Sequence, residues 1–417
     1  MVKRIAILTG NHLCHNPRVL KEADALGRAG FCVEVFGGWS DPVLKARDQE
    51  LLRKVKFRFV PVHDLTEKPA LRLWLRVRGR LAGVVQAKTD RESRWQLGYC
   101  VSALWKAIRG CQPDLAIAHS EQALWVVAQL QNKKEKCNGQ NSKLGVDMED
   151  WFSEDLPPEA RRKRPLRLLR RIEHEVLRNA CHATSPSRAM RDALAREHQC
   201  RPPTVVYNAF PWSDRRGIDG EIKDRRDLKV TSIHWYSRTL GLDRGLDALV
   251  GALPQLKHKA EIHLRGKPVS GFDEWLANRV PAAWRSRIFV HDLVSNDELL
   301  SRIAEHDIGF AGEMNYCRNK DCTVSNKMLH YLLAGLGVVA SDTAGQVEVA
   351  QKAGAAVRIY SARDPATLAK ELNNLLGSPE ALRAAKAAAL VVAERSFCWE
   401  RQAPALLRSV QSVGGGN

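Results

Sequence analysis

The sequence has no G-x-x-x-x-G-K-[ST] stretch, and no G-x-G-x-x-G follows its first apolar run. Both signatures cradle nucleotide phosphates in backbone amides, so their absence argues against a P-loop NTPase and an ordinary dinucleotide enzyme. No window of about 18 uninterrupted apolar residues occurs, so no membrane-spanning helix is expected. The ten cysteines form no C-x-x-C pair; the closest two are Cys317 and Cys322. A disulfide framework is therefore not expected, and reduced thiols in a cytoplasmic protein are. The apolar run after Met1-Val2-Lys3-Arg4 is too short for a signal peptide and fits a buried first strand.

What is present is length, positive charge and a repeated alternation of elements. At about 150 residues per domain, 417 residues suggest two or three domains. The formal net charge is +18, and residues 1–205, with 37 Lys and Arg against 23 Asp and Glu, carry +14 of it. That half should face something anionic: nucleic acid, a membrane surface or a phosphorylated ligand.

"RIAILTG" reads as a buried parallel strand. Asn16 and Pro17 supply an N-cap and first helical residue, Val19, Leu20, Ala23 and Leu26 recur at helical spacing, and Gly30 stops that helix. "CVEVFG" completes a β-α-β unit. Further strands are expected at 56–62, 115–120 and 144–149. After a hinge at "TVVYNAF" (204–210) a second alternation begins, in which Ser295 and Glu298 mark a helix start. The fold class is α/β, with two Rossmann-like domains whose ligands bind outside the carboxyl ends of the strands.

Several stretches could carry chemistry. "TLGLDRGL" (239–246) places glycines and Arg244 between a strand and a helix, where they bind a phosphate or form a plain turn. "SNK" (325–327) offers a capping Ser325, open first-turn amides at Asn326 and a cation on Lys327. Two basic helix starts in one half favour a diphosphate. His330, one turn later, either faces that ligand or packs in the core. "HLCH" (12–15) lacks a second ligand pair for zinc; His12 or His15 either touches a ligand or lies exposed. His119 ends a strand, and Asp147, Glu149 and Asp150 end another. These carboxylates would bind a hydroxylated substrate or serve as a base, or else form a solvated loop. Residues 69–85 read as an amphipathic helix, with Arg72, Arg76 and Arg80 on one face and Leu71, Trp74, Leu75, Val77, Leu81 and Val85 on the other. It either lies in a bilayer interface or packs on the domain core. "RRKRPLRLLRR" (161–171) suits anionic lipid; it lacks the interleaved aromatics that RNA binding would use.

At these residues the chain resembles a glycosyltransferase of the GT-B fold, family 4-like, over almost its whole length. "NHLCHNPRVLKEADALGRAG", "PDLAIAHS", "VDMED" and "VVYNAF" are similar to the family's first domain and hinge. "WYSRTLGLDRGL", "SNKMLHYLLAGLGVVASD" and "FCWERQ" are similar to its phosphate-binding turn, donor site and returning helix. Glu149 stands where histidine is usual and Arg238 where glycine is. His330 stands where a glutamate grips the ribose, and Cys322 roughly where a second glutamate precedes it.

The resemblance implies domains at 1–205 (acceptor), 206–392 (donor) and 393–417 (a helix crossing back), facing each other across a cleft. It implies sugar transfer from a nucleoside diphosphate-sugar, with retention, and with no metal or other cofactor. The donor would lie against Arg238, Arg244, Gly266, Ser325, Asn326, Lys327 and His330. The acceptor would lie near Gly10, Asn11, His12 and Arg18, with His119, Asp147, Glu149 and Asp150 as candidate catalytic groups. A glycan or lipid-linked acceptor at an anionic inner membrane face fits the basic first half. The alternatives are a non-catalytic sugar-nucleotide binder or epimerase on the same fold, and a nucleic-acid-binding protein drawn by the net charge.

Overall fold

The computed structural model describes residues 2–132, 142–241 and 245–414. Strands β1 (Arg4–Thr9), β2 (Cys32–Trp39), β3 (Arg58–Asp64), β4 (Leu115–His119), β5 (Lys143–Asp147), β6 (His182–Ser185) and β7 (Thr204–Val205) form one parallel sheet. Its order is β3-β2-β1-β4-β5-β6-β7. Strands β8 (Ser232–Leu240), β9 (Glu261–Pro268), β10 (Ile288–His291), β11 (Ile308–Ala311), β12 (Gly337–Ser341) and β13 (Val357–Tyr360) form a second, in the order β10-β9-β8-β11-β12-β13. All its pairings are parallel as well. Each order reverses once, between β1 and β4 and between β8 and β11. These are the topological switch points at which doubly wound sheets bind ligands.

The strands are apolar runs because helices cover both faces of each sheet. In the second sheet, Ile308, Phe310 and Val339 enter one core with Trp235 and Leu264. Their neighbours Ala311, Val338 and Ala340 enter another with Met328 and Leu332. Strand β6 escaped the sequence reading because "HATS" contains no apolar run.

The helix starts and stops follow the sequence. Asn16 accepts a hydrogen bond from Val19 N at 3.1 Å, Pro17 opens the helix Pro17–Arg28, and Gly30 follows it at φ +93°. Ser295 caps Asn296–Ala304 through Glu298 N at 3.2 Å.

The chain divides into two compact units: 1–186, 190–206 and 403–417 in the first, 187–189 and 207–402 in the second. The passage after Val206 and the return at Ala403 compare with 205 and 393 in the sequence reading. The segment 187–189 belongs with the second unit because Ser187 Oγ donates to Cys322 O at 2.5 Å and Glu348 accepts from the amides of Arg188 and Ala189. The end of the helix Trp399–Gly414 belongs with the first. Ser409 Oγ meets His182 Nδ1 at 2.9 Å, and Leu406, Val410 and Val413 are buried.

Candidate functional site

At the β8/β11 switch point the backbone is drawn in close. Gly245, at φ +79°, precedes the helix Leu246–Ala252, and a Cβ on it would stand 2.1 Å from Gly312 O. Only glycine at 245 gives both the left-handed conformation and the approach. Arg244 lies outside the described residues.

Across from this turn, the helix Asn326–Ala334 opens at Ser325, whose hydroxyl accepts from Lys327 N at 3.3 Å. Met328, Leu329, Tyr331, Leu332 and Leu333 hold the helix in the core, and Gly335, at φ +84°, ends it. Its first-turn amides therefore look outward at a fixed place.

The mouth of that helix contains a carboxylate the sequence reading did not name. Glu313 follows β11 and Gly312; its Oε1 lies 2.5 Å from Lys327 Nζ and accepts from Ser325 Oγ at 3.0 Å. Burial would raise its pKa, but the Lys327 ammonium holds the carboxyl below its ordinary range. The cation on Lys327 is thus one half of an ion pair. Glu313 was findable in principle, since it stands just past the carboxyl end of a switch-point strand.

The remaining donor-side residues fall around this place in different roles. Asn326 is exposed, and its Oδ1 accepts from Asn208 Nδ2 at 3.1 Å. His330 stacks on Phe210, with centroids 3.4 Å apart, and its Nδ1 lies 2.5 Å from the Tyr236 hydroxyl. Arg238 is exposed and sits where the β8–β9 register shifts. Gly266 lies opposite that irregularity, where a Cβ would come within 2.4 Å of Ser237 O, so its requirement is structural.

In the first unit, several predicted residues meet at the ends of β4 and β5 in a buried charge cluster. Arg18 donates through Nε to both oxygens of Asp147 at 2.9 and 2.8 Å, and through Nη1 to Val206 O at 2.6 Å. Thr184 Oγ1 donates to Asp147 at 2.7 Å. His119 Nε2 lies 3.1 Å from Glu22, a residue the sequence reading passed over as one helical position among many. Burial would raise the Asp147 carboxyl, but Arg18 and His119 hold it well below the carboxylate range. Burial alone would depress His119, but Glu22 and Asp147 lift it to about 10.

Glu22, His119 and Asp147 are close enough to hold a metal ion. However, Arg18 stands 3.4 Å from Glu22 and 2.7 Å from Asp147, and it already supplies the positive charge.

This placement bears on the candidate catalytic groups. His119 and Asp147 are 0% exposed and present no atom to an acceptor in this conformation. The expected acceptor-side Arg18 is likewise internal. Glu149, 18% exposed, and half-buried Asp150 are the carboxylates of that segment with accessible surface. Asn16 Nδ2 donates to both Glu149 oxygens, at 3.1 and 2.9 Å.

Gly10, Asn11 and His12 instead line a cavity of about 380 Å³ at the carboxyl edge of β1 to β3, together with His63, Tyr99 and Gln122. His12 belongs to its wall. Asp48 lies 3.1 Å from its Nδ1, and its Nε2 accepts from Ser40 N at 3.0 Å. Asp48 also accepts from the amides of Leu13 and Cys14, which accounts for the "HLCH" loop without a metal. Gln122 closes the floor by lying against Gly10 and Gly98, where added Cβ atoms would come within 2.0 and 2.5 Å of its amide. Burial pushes the Cys100 thiol beside it up to about 12, so it is no nucleophile.

The sequence matches no family model and no curated protein. Solved structures match the whole chain at low identity. The Anabaena protein HepE in complex with UDP and glucose shares 17% identity over 99% of this chain and 100% of its own, with a TM-score of 0.66. The sucrose-phosphate synthase of Thermosynechococcus elongatus shares 13% over 100% of both chains, with a TM-score of 0.70. A UDP-N-acetylglucosamine 2-epimerase described as such for Listeria monocytogenes shares 13% over 99% and 96%, with a TM-score of 0.54. The chain has the two-domain GT-B fold of glycosyltransferases. The epimerase has a similar fold, so fold alone does not choose the chemistry.

Proposed function

We propose that the protein is a glycosyltransferase that moves a sugar from a nucleoside diphosphate-sugar to a hydroxyl acceptor, with retention and without a metal. The observation that carries this reading is the β8/β11 switch point. There a glycine turn, an outward-facing helix start and the Lys327–Glu313 pair stand together. Amides and Lys327 suit a diphosphate, and Glu313 suits hydroxyls of the ribose or sugar. HepE, of similar fold, binds UDP and glucose.

In the transfer, the acceptor oxygen bonds to the anomeric carbon as that carbon's bond to the diphosphate breaks. The electron pair leaves with the nucleoside diphosphate, and the hydroxyl proton passes to the leaving phosphate oxygen. The helix start and Lys327 stabilise the charge growing there. No dedicated base is needed on this route, in keeping with the burial of His119 and Asp147. The acceptor hydroxyl enters the cavity at Gly10, Asn11 and His12.

Calorimetric titration with UDP-, GDP-, ADP- and CMP-sugars tests the donor reading. One donor should bind, and Lys327→Ala should weaken it roughly tenfold or more. Silence toward all four would end the proposal. Product analysis with labelled donors then separates transfer from epimerisation.

The same reading places the protein at an anionic membrane surface. Leu75 is the only buried residue of the helix Pro69–Thr89, while Leu73, Trp74, Leu81 and Val84 are each more than half exposed beside Arg72, Arg76 and Arg80. That pattern supports an interfacial helix over one packed on the domain core. No helix among the described residues is long and apolar enough to cross a membrane. Phosphatidylcholine vesicles containing phosphatidylserine should sediment the protein, and Leu73→Asp with Trp74→Asp should release it; binding that the double variant leaves intact would refute the claim.

A further inference from the structure

Beside the acceptor cavity lies a second hollow of about 380 Å³, and the two share Gly98 and Tyr99 in their walls. The helix Pro69–Thr89 supplies one side. Arg76, Gly79, Arg80 and Gly83 recur at i, i+3, i+4 and i+7 and so line one face. Two glycines inside a helix cost about 1 kcal/mol each relative to alanine. Here they leave a trough: nothing stands within 4 Å of a Cβ built on Gly83, and only Trp95 O, at 3.4 Å, meets one built on Gly79. Trp95 is fixed in turn, with the Arg78 guanidinium 3.7 Å from its ring centre and the Ser93 cap starting its turn.

The trough's third cation is Lys163, and no carboxylate lines it. Four of the surrounding arginines are used up internally, while Arg162 is exposed and in no ion pair among the described residues. Arg164 pairs with Glu121, Arg161 and Arg170 pair with Glu154, and Arg167 pairs with Asp90. For Arg76, Arg80 and Lys163 no ion pair occurs among the described residues, and all three are exposed. Three like charges gathered round an open trough repel one another until an anion joins them. Guanidinium forks and an ammonium match phosphate oxygens.

We propose that this trough binds a phosphoryl group carried by the acceptor, so that the enzyme glycosylates a phosphate- or diphosphate-bearing substrate. The hydroxyl end of that substrate lies in the neighbouring cavity past Gly98. The proposal rests on the glycosyltransferase reading for its purpose but not for its chemistry. The phosphate comes from a lipid headgroup or from a soluble phosphorylated glycan. The apolar residues Leu73, Trp74, Leu81 and Val84 on the same helix place a bilayer within reach of the first source.

The test titrates inorganic pyrophosphate into the full chain saturated with the nucleoside diphosphate of whichever donor the calorimetric titration selects, so that the donor site is filled. The triple variant Arg76→Gln, Arg80→Gln, Lys163→Gln alters only exposed side chains. It should bind pyrophosphate roughly tenfold or more weakly and that nucleoside diphosphate unchanged. Equal pyrophosphate affinity in the wild type and the variant overturns the trough. A wild type that binds no nucleoside diphosphate overturns the donor reading instead, and the pyrophosphate difference between wild type and variant still tests the trough. Phosphatidylcholine vesicles with phosphatidic acid identify the source. Displacement of these vesicles by pyrophosphate supports a lipid-borne phosphate; vesicle binding indifferent to pyrophosphate, with the titration difference intact, supports a soluble one.

Discussion

Asp147, fully buried, survives as a carboxylate because Arg18 makes three contacts with it and Thr184 a fourth. Take the guanidinium away, and Asp147 and Glu22 are left buried beside His119 alone. Removing one partner of such a cluster typically costs about 3–5 kcal/mol, because the remaining charge is stranded. Arg18→Leu should therefore lower the unfolding free energy of the first unit by that order and its urea midpoint in proportion, while Arg80→Gln on the surface leaves both in place; an unchanged midpoint in the Leu variant would show the cluster to be dispensable. Arg18 stands in a segment whose resemblance marks it in the sequence, but its burial is not legible there. Its partner at 147 lies 129 residues away. Glu22 was missed for the same reason. A carboxylate one turn along an amphipathic helix looks solvated until β4 and β5 close over it.

A different group of elements sets the behaviour of the second unit toward acid. β8, β9, β10 and the turn that leads into β11 bring His234, His263, His291 and His306 together. Ring centres of His234 and His306 stand 4.5 Å apart, and those of His263 and His306 4.6 Å. Facing them are Asp224, Glu261, Arg225, Arg265 and Glu305.

Burial depresses all four imidazoles, His263 to about 2 and His291 to about 4. The folded unit thus keeps these rings neutral while the unfolded chain takes up protons below about pH 6.5. Their contribution to stability is complete above that value and is lost as pH falls toward 4. Unfolding midpoints measured from pH 8 to pH 5 should fall for the wild type. The fall should be shallower in His234→Phe, because neither ring nitrogen of His234 has a hydrogen-bond partner and Phe keeps the stacking. An identical slope would remove this account. The sequence showed four scattered histidines; the parallel register of three strands made them neighbours.

At the scale of the whole chain, the last helix belongs to both units. Residues up to 402 group with the second and those from 403 with the first. Burial of a large aliphatic side chain is worth about 1.5–3 kcal/mol, and this tail buries Leu406, Val410 and Val413. Deleting residues 403–417 should therefore destabilise the first unit by several kcal/mol while the second still binds the nucleotide. Hydrogen exchange resolved by segment would show faster exchange in β4 to β6 and little change in β8 to β13; uniform acceleration in both sheets would contradict the division.

The sequence by itself determined the two rounds of strand and helix, their caps at Asn16, Ser295 and Ser325, and the glycine turn and helix mouth of the donor side. These are local consequences of apolar periodicity and hydrogen-bond geometry, legible within a few residues of chain. Only the tertiary structure decided which charges are spent internally and which remain open. Glu313 pairs with Lys327, Arg18 encloses Asp147, and Glu121 and Glu154 take Arg164, Arg161 and Arg170 from the basic cluster around Lys163. These pairs join residues from 7 to 129 positions apart and lie across turns or between separate elements, so the periodicity of a single helix or strand does not record them.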